Sequence, residues 1–137
     1  MSHGINRQIT AYLDERGLKH HQKEQISRIV QDWPEPPEKV LDIGCANGAM
    51  LKGLGSLYPK SYKHGIDLSP QLVKEATSRL GPGFSIEVAD ALEFEPKQKF
   101  NVIVASGVLS IFEDFTLPLK RWLSWLAKGG WLYIFGP

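Results

Sequence analysis

Apolar positions follow two different periods along this chain, and the point where the period changes divides it. Over residues 5–16, Ile5, Ile9, Tyr12 and Leu13 stand at helical spacing, and Gly17 follows where a helix C-cap would sit. Ile26, Ile29, Val30 and Trp33 repeat that spacing and stop at Pro34, in a proline-rich stretch that cannot continue a helix. Residues 1–33 therefore read as a helical extension, with 34–38 as its linker to a domain that occupies the rest of 34–137. From Lys39 onward, short β-branched runs alternate with helical patterns, as in a parallel sheet with crossover helices. The runs are KVLDI, HGID, FSIEVAD, FNVIVAS and WLYIF.

The helices between these runs carry their own punctuation. Ser69 is placed as an N-cap, Pro70 at the first helical position and Gly81 just past the end, which predicts a helix over 70–80. Leu119, Trp122, Leu123 and Leu126 form an apolar stripe expected to end at Lys128-Gly129-Gly130, a cation followed by a glycine cap. A helix over roughly Ala49–Leu57 contains Gly53 and Gly55, each costing up to ~1 kcal/mol against Ala, so close packing on the sheet is the expected reason for them.

Composition narrows the class without identifying it. The 137 residues suffice for one domain, and 42% hydrophobic with 23% charged residues is an ordinary globular balance. A net charge of +1, with no run of Lys and Arg interleaved with aromatics, gives no nucleic-acid footprint. The single cysteine, Cys45, makes no internal disulfide and no zinc spacing, so a reducing cytoplasm is expected. No stretch approaches the ~18 apolar residues of a membrane span. His3, His20, His21 and His64 lack metal-ligand spacing and read as solvated, and Trp122, Trp125 and Trp131 read as core packing.

The chemistry concentrates in VLDIGCANGAML, where a buried run ends in Asp42 and turns through Gly44 and Gly48 into a helix. Glycine there admits close approach of backbone to a ligand, and the helix N-terminus that follows suits an anionic group. The dinucleotide fingerprint G-x-G-x-x-G fails twice, because Ala46 and Ala49 stand at its second and third glycines, and no Lys-Ser or Lys-Thr follows to make a phosphate loop. Asp42 would repel a phosphate but welcome an ammonium. A ligand with both a carboxylate and an ammonium is an amino acid. Asp67, 23 residues past Gly44, is suited to ribose hydroxyls, and Asp90 to the exocyclic amine of a base. Amino acid, ribose and adenine together describe S-adenosyl-L-methionine.

Over residues 39–135 the arrangement resembles the class I S-adenosylmethionine-dependent methyltransferases. The resemblance implies a doubly wound parallel sheet of about five strands in order 3-2-1-4-5, with helices on both faces and N-terminal helices before it, and without the last strands of the full fold. It implies that Asp42, Gly44, Cys45, Ala46, Asn47 and Gly48 hold the methionine portion. Asp67 would take the ribose with Leu68 as an apolar wall, and Asp90 and Ala91 would meet the adenine edge. Ser106, within Ala105-Ser106-Gly107, would lie beside the methionine amine and the transferable methyl. Ala46 departs from the glycine that many members carry. No residue is assigned as a catalytic base, and Cys45 has no catalytic role.

A strand-end aspartate more often caps a turn, so only the joint pattern of three supports a site. The implied function is methyl transfer to a small-molecule acceptor. A non-catalytic domain that binds the cofactor or its homocysteine product stays open as an alternative, and a dinucleotide-binding oxidoreductase is disfavoured by the broken fingerprint. The helix bearing Tyr12 is expected to close over the cofactor. Trp131–Phe135, apolar throughout and at a sheet edge by strand count, is expected to mediate self-association.

Overall fold

The computed structural model describes residues 18–136; the expected helix over 5–16 and its role as a lid lie outside the described residues. Chain order is α1 (His20–Asp32), β1 (Lys39–Ile43), α2 (Ala49–Leu57), β2 (Tyr62–Asp67), α3 (Pro70–Leu80), β3 (Phe84–Val88), β4 (Phe100–Ser106), a 3-10 turn (Leu109–Ile111), α4 (Thr116–Ser124) and β5 (Leu126–Phe135). The five strands are all parallel and ordered β3-β2-β1-β4-β5, as the resemblance implied.

Strand alternation sends the side chains of β1 and β4 into two different cores. Val40, Val102 and Val104 pack with Ile26 and Ile29 of α1 and with Leu51 and Leu54 of α2. Leu41, Ile43, Ile103 and Ala105 pack on the opposite face with Trp122 and Trp125. β1 and β4 are thus covered on both sides, which is why they read as mostly apolar runs rather than as alternating ones. Gly55 has the packing role expected of it: a Cβ there would lie 2.5 Å from Cζ of Phe84.

Hydrogen bonds fasten the middle and the C-terminal end of α1 to the sheet and to the end of α2. Ser106 Oγ donates to Gln25 Oε1 (3.1 Å), Tyr133 OH to Asp32 Oδ2 (2.9 Å) and Tyr58 OH to the Trp33 carbonyl (2.8 Å). At α3 the expected caps are in place, with Ser69 Oγ accepting from Leu72 N–H at 3.2 Å and Pro70 opening the helix.

Three expectations need correction. The helix predicted to run to Lys128-Gly129-Gly130 ends at Ser124, and Leu126 already pairs with Phe100 in β5. Trp131 pairs with Val102, so residues 127–130 bulge opposite Asn101. Gly130 is required there, since a Cβ would lie 2.9 Å from the carbonyl oxygens of Ala127 and Asn101. With the helix shortened, Leu123 is exposed rather than part of an apolar stripe. His64, expected in solvent, is buried against the rings of Phe94 and Phe100. Trp131 is 51% exposed on the edge strand, not core.

Candidate functional site

The chain winds from β1 to β2 and β3 on one side and reaches β4 and β5 on the other. A crevice therefore opens at the carboxyl ends of β1 and β4, the usual ligand position in such sheets. The turn after β1 forms its floor. Gly44 sits at φ 72° and Gly48 at φ 85°, left-handed conformations that glycine adopts freely. Side chains are also excluded sterically: a Cβ on Gly44 would stand 2.5 Å from Cγ2 of Val108, and one on Gly48 2.9 Å from Cδ1 of Leu80. Ala46 takes φ 50°, which costs an L-residue about 1 kcal/mol. Its N–H donates to Asp67 Oδ2 at 2.9 Å, so a charge-assisted bond offsets that cost.

Asp67 links two loops, because its Oδ1 also accepts from Ser69 N–H at 3.0 Å. Asp90 Oδ1 accepts from Leu92 N–H at 2.7 Å. Both aspartates therefore perform the ordinary turn-forming task, and each carboxylate retains lone pairs beyond those bonds. Asp42 is only 3% exposed, and burial, reinforced by the negative charge of Asp67, pushes its carboxyl up to about 7. Burial, with Asp42 and Asp67 adding to it, pushes the Cys45 thiol up to about 12, so it stays protonated and non-nucleophilic at neutral pH.

A cavity of about 380 Å³ fills the crevice. Of the residues expected at a site, it is lined by Gly44, Asp67, Leu68, Asp90, Ala91 and Ser106. The other five do not line it. Asp42 and Cys45 are buried, Ala46 is exposed, and Gly48 serves as the N-cap of α2. Asn47 accepts from Ala49 N–H at 3.2 Å and borders a separate groove with Lys74 and Arg79 of α3. Sequence reasoning missed a second wall, made by Val108, Ile111 and Phe112. The available signal was an apolar pair, Ile111-Phe112, in a stretch that otherwise reads as loop. Among the described residues there is no cluster of His, Cys, Asp and Glu able to hold a metal, and no helix long and apolar enough to cross a membrane.

Known proteins share this architecture. Trans-aconitate 2-methyltransferase of Rhodococcus jostii is 28% identical over 127 residues, which is 93% of this chain and 47% of the relative. The enzyme of the same name from Methylobacterium nodulans is 34% identical over 101 residues, 74% of this chain and 39% of the relative. The chain thus spans less than half the length of these curated relatives. Among solved structures, the plantazolicin methyltransferase BpumL in complex with SAH superposes with a TM-score of 0.76 at 24% identity, over 93% of this chain and 51% of that one. The N-methyltransferase NodS of Bradyrhizobium japonicum, in complex with S-adenosyl-L-homocysteine, gives 0.71 at 26% identity, over 83% and 59%. A family model described as a methyltransferase domain matches residues 18–135, nearly all of the described structure, and the chain belongs to that methyltransferase family.

Proposed function

We propose that this chain binds S-adenosyl-L-methionine in the crevice above β1 and β4 and contributes to methyl transfer onto a small-molecule acceptor. The observation that carries the reading is the convergence of the Gly44 turn, Asp67, Asp90 and Ser106, drawn from four strand ends, on one cavity of about 380 Å³. The residues present fit the cofactor. Asp67 offers an acceptor carboxylate to a ribose diol, Leu68 an apolar surface to a base, and Asp90 an acceptor to an exocyclic amine. Asp42, buried beneath the Gly44 turn with its carboxyl pushed up to about 7, would be drawn toward its ionised form by an ammonium bound above that turn.

When bound, the sulfonium supplies an already activated methyl group. The protein's task is then to orient the ligand and exclude water. The glycine turn fixes the amino-acid end, Asp67 the sugar, and the Ile111-Phe112 wall keeps the opposite side apolar. Trans-aconitate, named in the curated relatives, is a small carboxylic acid, which supports a small-molecule acceptor here as well. A cytoplasmic location fits the single buried thiol, Cys45. The same reading takes residues 1–33 as an N-terminal extension and the β5 edge as a surface for self-association.

Titration calorimetry with S-adenosylmethionine, S-adenosylhomocysteine, NAD and ATP tests the cofactor assignment. The two sulfur ligands are expected to bind and the two nucleotides not to. Binding of NAD without the sulfur ligands would replace this reading with a dinucleotide one.

A further inference from the structure

The wall of the cavity that follows β3 has little strand structure to hold it. The final ladder-like bond on that side is Ala89 N–H to the Asp67 carbonyl (3.1 Å), after which Asp90 turns the chain by accepting from Leu92 N–H and, through its carbonyl, from Phe94 N–H (3.0 Å). Carbonyls in such a turn need donors. Two adjacent residues of α4 supply three. Trp122 Nε1–H donates to the Ala91 carbonyl at 3.0 Å, Arg121 Nε–H to the Leu92 carbonyl at 2.8 Å, and Arg121 Nη2–H to the Phe94 carbonyl at 3.2 Å.

Trp122 also reaches the second wall. It is fully buried, and its indole meets Phe112 edge to face with ring centres 6.2 Å apart. Ala91, after β3, and Phe112, after β4, both line the cavity, so one buried side chain that does not itself line it contacts both segments. An indole hydrogen-bonded to one segment and packed on the other ties the two together and holds the register of the turn between Asp90 and Leu92.

We infer that Arg121 and Trp122 are positioning residues that hold the base-facing wall in register, so that α4 sets how well the cavity distinguishes adenine from a purine lacking the 6-amino group. The inference rests on the cofactor reading above, since it takes Asp90 and Ala91 to be the wall that meets the base. Neither residue lines the cavity. Both act through the backbone of residues 91–94.

The test compares the dissociation constants of S-adenosylhomocysteine and S-inosylhomocysteine by calorimetry on the full chain, for the parent, Trp122→Phe and Arg121→Gln. Phenylalanine keeps most of the apolar bulk and removes the donor. A purely structural role would lower the melting temperature while leaving the ratio of the two constants unchanged in the folded protein. Loss of register is expected to shrink the parent's preference for the adenosyl ligand by roughly fivefold, the equilibrium equivalent of one neutral hydrogen bond. A folded variant with the parent's ratio overturns the assignment for that residue, and Arg121→Gln decides the matter where Trp122→Phe does not fold. A parent that binds both ligands equally also overturns the inference. If the parent binds neither, it is the cofactor reading itself that fails.

Discussion

Asp42→Asn isolates the cost of burying an acid in the middle of a sheet. Burial and the neighbouring Asp67 charge raise the Asp42 carboxyl from 3.8 to about 7, so the folded chain holds its proton more tightly than the unfolded chain does. At ~1.4 kcal/mol per unit, the full displacement corresponds to about 4 kcal/mol. The sign follows from proton counts. The contribution is fully present below pH 3.8 and is progressively lost as pH rises through about 7, because between those values the folded state binds more protons. From pH 5 to pH 8 the parent should lose about 3 kcal/mol through this group alone. Asparagine has nearly the same shape and no charge to bury, so its curve should lack that slope. His64 works in the opposite direction, since burial lowers its pKa and destabilises the fold as pH falls below 6.5, but it is common to both proteins and cancels in the difference. Urea unfolding at pH 5, 6, 7 and 8 measures that difference directly. Parallel curves for parent and variant would refute the argument that Asp42 carries the desolvation cost.

Three further outcomes are expected. Asp67→Ala should weaken S-adenosylhomocysteine binding by about 1.5–3 kcal/mol in calorimetry, the worth of a hydrogen bond to a charged group, and an unchanged affinity would show the ribose assignment to be wrong. Gly55→Ala gains up to ~1 kcal/mol of helix propensity but drives a Cβ to 2.5 Å from the Phe84 ring, for which overpacking costs about 1–3 kcal/mol. Its melting temperature should fall, and a rise would show that the ring moves aside without cost. Ile134, 37% exposed on the β5 edge, is the place to test self-association: light scattering after size exclusion should show a concentration-dependent oligomer that Ile134→Lys converts to monomer. A parent that is already monomeric at high concentration would end that proposal.

Much of the sheet was legible because each central strand is covered on both faces. KVLDI and FNVIVAS match β1 and β4 residue for residue. The α3 boundaries were equally readable, since Ser69, Pro70 and Gly81 act locally. What escaped depends on distant partners. Lys128-Gly129-Gly130 has the local form of a helix cap, but the pull of Phe100 on Leu126 starts a strand first and leaves the glycines to form a bulge. Tyr62 and Lys63 extend β2 beyond its apolar run because they pair with Lys39 and Val40 of β1. His64 is hidden by Phe94, thirty residues away in sequence. The glycine turn, Asp67, Asp90 and Ser106 were legible as strand ends, whereas the Val108–Phe112 wall is brought to them only by the parallel crossover.

The hydrogen-bonded attachment of α1 to the sheet has a consequence for how the chain is made. Ile26 and Ile29 are completely buried, yet the bonds that pin their helix reach forward to Ser106, 81 residues beyond Gln25, and to Tyr133, 101 residues beyond Asp32. At ribosomal speeds of ~5–20 residues per second, this helix emerges on the order of 10 s before its final partner exists. During that interval Ile26 and Ile29 have no sheet to cover them, and exposed apolar surface of that kind favours off-pathway association.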